Sequence, residues 1–422
     1  MGGSPMIIAA VLSLFLSPAS VAATPPQNSI VVTGRAIDDK KTALAACLSR
    51  GCPPNEDIDA SLALAETQLI AGKYHEARRS LLAALGRNKK EAMAYPVPVS
   101  DLYRANGRVA AHLGMDEDYY RSTWGIYNTL KKGLPSAKDL QYSAMMEVAE
   151  MVATTRGHDR AREYYRSIAY HARQDGRPDI AALAELRMIL RHFPAYARSE
   201  AVREIAESAD PKTRAAQLEA RLALARIAFE HNDAAEAEKI VSGLASYAVK
   251  KPILIYAPQW AAAGGPANAD TGTALETQKD TLGYSSTTGS SQDWKSWGNA
   301  GSGKAMDPSE TRSPYGGRAV TSTRMGINTE DMWLDVGFHI DADGRVSDLQ
   351  VLRSRGDQGW SKPLLASISG RRYTPPQNGS IYKTERYTYT SAFEAGTGTH
   401  GEQHSPAARV EYFDLSDIAA AN

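Results

Sequence analysis

A chain of 422 residues is long enough for two or three domains, and its 43% hydrophobic and 23% charged content is ordinary for globular proteins. Lys plus Arg and Asp plus Glu each total 48, so the formal net charge is zero and offers no electrostatic footprint for nucleic acid or anionic lipid. The two cysteines, Cys47 and Cys52, are too few for a disulfide scaffold or a four-ligand zinc site.

Residues 6–16 (MIIAAVLSLFL) form an apolar run, followed by Pro18 and the small residues 19–23. The pattern reads as a secretory signal over residues 1–23, cleaved after Ala22 or Ala23, although residues 1–5 lack the usual Lys or Arg. The alternative is a retained anchor. Against it stand Pro18 and the length of the run, since a spanning helix needs about 20 apolar residues. Residues 24–37 are a linker that carries the β-branched run Ile30-Val31-Val32-Thr33-Gly34. A helix is predicted over 38–48, stopped at Gly51-Cys52-Pro53-Pro54. In an oxidising compartment Cys47 and Cys52 then form a structural disulfide that closes a small loop. The Cys-x-x-Cys spacing of a catalytic dithiol is absent.

Residues 38–250 are predicted as one helical domain, since Ala, Leu, Arg and Glu dominate with helical periodicity and few strand signals. Gly72-x-Tyr74-x-x-Ala77-x-x-x-Leu81-x-x-Ala84 places a left-handed cap at a turn and a small residue where two helices approach. Asn232, Ala237, Val241 and Leu244 repeat that spacing; Gly157, Ala161, Tyr165 and Ile168 come close, and Gly114 marks another turn. The turns at Gly72, Gly114 and Gly157 are spaced 42 and 43 residues apart, against about 34 in a regular array. The stretch resembles a degenerate tetratricopeptide array or a related α-solenoid. That resemblance implies stacked helical hairpins with a concave surface for a protein ligand.

Residues 251–324 shift to Gly, Ser, Thr and Ala after a short extended stretch at 251–258, and read as a flexible linker. Trp294 and Trp297 are exceptions there, suited to docking on a folded part. The domain predicted over 325–399 has the order strand, strand, helix, strand. Leu334, Val336, Phe338 and Ile340 alternate along a half-buried strand, and Asp341 to Gly344 turn into a second one. A helix follows at 360–369, and residues 382–393 form a third strand rich in Tyr and Thr. In the tail, 400–422, residues 408–415 alternate again. They either add an edge strand that covers the third strand from within or return to the helices. The expected fold class is therefore α+β, an all-α helical-repeat array plus a small ββαβ domain with an antiparallel sheet.

The Phe338-x-Ile340-Asp341-x-Asp343-Gly344-Arg345-Val346-x-Asp348 turn, the Val351-Leu352-x-Ser354 strand end and the Arg372-Tyr373-x-Pro375 corner resemble the C-terminal domain of TonB-type proteins. Ile30, Val31, Val32, Thr33 and Gly34 resemble the "TonB box" that outer-membrane receptors offer to such a domain. The resemblance implies a β-augmentation edge along the third strand, with Tyr382, Thr384, Arg386, Tyr387, Tyr389 and Phe393 as its partner-binding residues. It also suggests that residues 30–34 mask this edge in the same or a second molecule. The function expected is that of a non-enzymatic periplasmic adaptor for envelope proteins, outer-membrane receptors among them, with self-association admitted. The alternative is a TonB-type energy transducer anchored in the inner membrane. A convincing retained anchor and a long Pro-rich rod, which that role needs, are both missing from the pattern.

Three motifs are declined. Residues 298–305 mimic a phosphate-binding loop, but Ala305 replaces the Ser or Thr that would hold magnesium. Asp341-x-Asp343-Gly344 resembles a calcium loop, yet the twelfth position is Leu352. His400 and His404 flank Glu402 without the His-Glu-x-x-His spacing. No catalytic residue, metal site, cofactor or small-molecule substrate is expected.

Overall fold

A computed structural model describes residues 34–155, 158–192, 195–244, 251–258, 332–356, 358–377, 379–395 and 402–416. The leader at 1–23, Ile30 to Thr33, Gly157, and the linker at 259–331 with its Trp294, Trp297 and loop 298–305 lie outside the described residues.

The N-terminal part is helical: α1 (Gly34–Ser49), α2 (Pro54–Ile70), α3 (Tyr74–Asn88), α4 (Pro96–His112), α5 (Asp116–Gly133), α6 (Lys138–Thr155), α7 (His158–Gln174), α8 (Pro178–His192), α9 (Ala195–Ala206), α10 (Arg214–Glu230) and α11 (Ala234–Gly243). Proline opens α2, α4 and α8, where a missing N–H costs nothing. At the turns after α2, α4 and α10, Gly72, Gly114 and Asn232 take φ of 76°, 73° and 59°, the left-handed geometry that reverses the chain. Each helix packs on its chain neighbours, and α2 also meets α4 as α8 meets α10. Gly34 begins α1, so the β-branched run of 30–34 ends inside a helix. Cys47 and Cys52 are joined as a disulfide, with Cα atoms 5.2 Å apart, tying the end of α1 to the turn before α2. No helix among the described residues is long and apolar enough to cross a membrane.

The C-terminal part is an antiparallel sheet with a helix. After α11 comes β1 (Leu254–Tyr256), and then β2 (Trp333–Ile340), β3 (Val346–Arg355), α12 (Ser361–Ser369), β4 (Arg372–Tyr373), β5 (Ile381–Ala395) and β6 (Glu402–Asp414). The main sheet runs β3-β2-β5-β6 and every pairing is antiparallel. The Asp341 to Gly344 turn joins β2 to β3 with Gly344 at φ 78°, as its composition predicts. The α+β layout agrees with the sequence reading.

Two placements differ from expectation. Residues 253–258, assigned to the linker, are built into the C-terminal unit. There β1 pairs with β4, Thr374 N–H donates to the Ile253 carbonyl at 2.8 Å, and Ser367 Oγ donates to that of Pro258. The sheet is also covered on both faces. Leu334, Val336, Phe338 and Ile340 pack with Trp360, Leu364 and Ile368 on the α12 side. Trp333, Phe413 and Leu415 instead join Leu69, Tyr74, Val109 and Leu113 in a core shared with α2–α4. Alternation in β2 thus separates two buried sets rather than a buried and a wet one.

Candidate functional site

The expected acceptor strand is β5, and its placement corrects the expectation of a free edge. Strand β2 lies on one side, from Ile340↔Ile381 to Trp333↔Thr388. Along the other side runs β6, from Glu385↔Asp414 to Ala395↔Glu402, with Leu415 N–H donating to the Thr384 carbonyl at 2.7 Å. The physical reason is the alternating tail. Val410, Phe413 and Leu415 are buried, so the strand that satisfies the backbone of β5 also anchors both cores. Both fates weighed for residues 408–415 therefore hold at once. The sheet edges left are β3 and the outer side of β6. On β3, Val351 is 46% exposed, and register shifts opposite Asp335–Val336 and Gly337–His339 break the ladder. Such bulges discourage indiscriminate pairing.

The residues singled out on β5 divide by face. Tyr382 is half-buried and packs on His339 at a ring distance of 5.0 Å. The Thr384 N–H donates to Ser416 Oγ at 3.0 Å. Tyr387 is fully buried and donates to Glu385, while Tyr389 packs on Trp360 at 5.6 Å. Phe393 stands opposite His404 in the ladder. Arg386 is the most unlike its prediction, since it is 0% exposed and points to the helices rather than to a partner. Its guanidinium donates to Asp335 Oδ1 at 2.5 Å and Oδ2 at 2.9 Å and to the Leu69 carbonyl at 2.8 Å, and it lies 4.0 Å over the Trp333 ring.

Around it a polar seam joins sheet to hairpins. The Tyr74 hydroxyl and Thr388 Oγ1 share a hydrogen bond at 2.7 Å. Thr388 in turn reaches His112 Nδ1 at 3.1 Å, and the imidazole meets the Phe413 ring edge-on at 5.3 Å. Burial pushes the Tyr74 phenol up, which keeps it protonated. Close approach makes the seam possible: a Cβ on Gly72 would lie 2.6 Å from Trp333 Nε1. Asp335 and His112 were missed from sequence, and Tyr74 was read only as part of the hairpin motif. The available signal was Trp333 and Asp335 sharing the strand face opposite Leu334 and Val336.

A second buried cluster lies on the α12 side. Glu385, 1% exposed, accepts from Arg371 and Lys383, each at 2.7 Å, and Lys383 also meets Asp414 at 3.2 Å. Burial alone would raise the Glu385 carboxyl, but Lys383 and Arg371 bring it down to about 2. In the helices, ion pairs link alternate members. Arg104 of α4 bonds Asp101 of its own helix and Glu147 of α6, and Glu150 of α6 pairs with Arg187 and Arg191 of α8. Arg187 continues to Glu219 of α10 at 3.5 Å. Asp101 is pushed up to about 6 by burial, which the neighbouring Arg104 only partly offsets.

Cys47 and Cys52 lie within ligand reach of Glu56, but the disulfide removes the thiolates that a metal would need. These arrangements hold the parts together and present strand and helix surfaces. Neither protein-family models nor curated protein sequences match this chain.

Proposed function

We propose that this chain is an exported, non-enzymatic protein-binding adaptor. Its helical hairpins are a degenerate tetratricopeptide-like scaffold, and its sheet is a TonB-like strand-addition module for proteins of the cell envelope. What supports the reading is the pairing of β6 with β5, in which an extended segment is added antiparallel to that edge by main-chain hydrogen bonds. Here the segment is the chain's own. β2 pairs with β5 as far as Thr388 and the Met332 carbonyl accepts from the Tyr389 N–H at 2.9 Å, so it is residues 391–395 and 402–408 that pair as a two-stranded ribbon. Such ribbons are marginal in isolation, and a partner segment therefore exchanges most readily there. Export rests on the leader at 1–23, and N-terminal sequencing of the envelope form tests it.

The experiment uses a labelled peptide of residues 27–35 and the mature chain with Cys47 and Cys52 replaced by Ser. A second form adds Glu394→Cys and Gln403→Cys, which face each other in the ladder and lock the ribbon when oxidised. Binding to the open ribbon, lost on locking and regained on reduction, is expected. No binding at millimolar peptide, or equal binding to both forms, removes the proposal.

A further inference from the structure

Helices α9 and α11 both pack on α10 and leave a groove of about 500 Å³ between them. Its floor is Leu224, Ile227 and Ala228 of α10, all half-buried, with Ile240 of α11 beside them. Between α5 and α7 large rings meet, Trp124 lying 6.0 Å from Tyr164. In the α9–α11 groove Ala206, Ala228 and Gly243 leave space instead. The α9 wall carries Arg203 and Glu207, exposed and in no ion pair among the described residues. An apolar floor under unspent charges of both signs suits an aromatic segment with its own mixed charges.

The chain supplies such a segment. Gln292-Asp293-Trp294-Lys295-Ser296-Trp297 places two indoles three residues apart, with an acid and a base around the first, in a stretch otherwise poor in large apolar residues. We infer that the groove formed by α9, α10 and α11 is the docking site of the Trp294–Trp297 segment of the same chain. Tyr256, two residues before Pro258, stacks on Phe229 at 5.3 Å, so the outgoing chain starts on the face of α10 away from the groove and has one helix diameter, about 10 Å, to cross. From Pro258 to Trp294 is 36 residues, and the random-coil reach of that many residues is about 33 Å. Helix α10 itself, at 17 residues, is about 25 Å long. A tether of this kind gives an effective concentration of order millimolar. A segment that binds in trans with Kd near 0.1 mM is then docked about ten times out of eleven. Glu207 offers an opposite charge to Lys295, and Arg203 one to Asp293. The inference does not depend on strand addition at β5.

The test compares hydrogen exchange in the full chain and its Trp294→Ala/Trp297→Ala variant. Amides of α10 and α11 are expected to exchange about tenfold faster in the variant. A labelled peptide of residues 290–299 is expected to bind this variant near 0.1 mM and the wild type at least tenfold more weakly, and Arg203→Glu is expected to weaken it further. Unchanged exchange, or no peptide binding at millimolar concentration, overturns the inference. Protection that grows with protein concentration also overturns it and makes a second copy the occupant.

Discussion

Arg386→Met tests whether the sheet and the hairpins form one cooperative unit. Methionine keeps most of the apolar stem, so the loss falls on the guanidinium. Breaking a buried pair from one side costs about 3–5 kcal/mol, because the remaining charge stays buried. Asp335 is 1% exposed but keeps Arg353, whose Nη2 lies 2.5 Å away, which argues for the lower end. Loss of the donor to the Leu69 carbonyl and of the contact over Trp333 pushes back up, by about 1–2 kcal/mol each, though not additively. A destabilisation of about 3–4 kcal/mol is expected in urea unfolding followed by circular dichroism. Adding Asp335→Asn removes the stranded charge, so the double variant should recover about 2 kcal/mol of the sum of the singles. Arg386→Lys should also destabilise, since an ammonium cannot fill the two-oxygen fork and the carbonyl together. A cost below about 1 kcal/mol, or strict additivity in the cycle, would refute the joint as drawn.

The two perturbed carboxyls act on stability in opposite directions with pH. Glu385, held down to about 2, contributes stability above about pH 4.5 that is lost as pH falls toward 2, on the order of 3 kcal/mol; Glu385→Gln should flatten that acid limb of the stability curve. Asp101, pushed up to about 6, penalises the fold above pH 6 and stops doing so as pH falls toward 3.8. Asp101→Asn should therefore stabilise by about 2 kcal/mol at pH 7.5 and have little effect at pH 4, in chemical denaturation. Gly72→Ala places a methyl against Trp333 at φ 76°, and should lower the melting temperature while altering tryptophan emission, at a cost of about 1–3 kcal/mol. Replacing both cysteines by Ser opens a loop with a sequence separation of five and should cost about 2 kcal/mol at most, with faster hydrogen exchange confined to α1 and the start of α2.

The hairpin turns were legible because they rest on local rules. Gly72 and Gly114 need positive φ, and Ala77 is small where two helices close. Strand β2 was legible from alternation, and the Cys47–Cys52 pair from spacing and compartment. The role of β6 was left between two outcomes because an alternating run says which residues are buried and not against what. Arg386 was misjudged for a related reason. In a strand of Tyr and Thr an arginine reads as solvent-facing or partner-facing, and only Asp335, 51 residues earlier in the chain, together with the Leu69 carbonyl, makes its burial tolerable. Likewise the ion pairs along α4, α6, α8 and α10 join positions whose spacing follows no helical period.

The seam also joins the ends of the chain, since Tyr74 and Thr388 are 314 residues apart and Phe413 and Leu415 lie among the side chains of α2–α4. Hairpins α2–α3 and α4–α5 can form from local contacts, but their shared core lacks three members until the last strands arrive. Ending the chain at residue 401 should therefore loosen its beginning. It removes Phe413 and Leu415, each worth about 1.5–3 kcal/mol of burial, and uncovers His112 and Tyr74. Amides of α2–α4 should lose protection, whereas α6–α8, whose core contains no strand residue, should keep theirs. Equal protection of α2–α4 with and without residues 402–422 would mean that the sheet is carried by the hairpins without stabilising them. Loss of protection throughout α1–α11 would mean that the array has no independent segment, in conflict with the separate core of α6–α8.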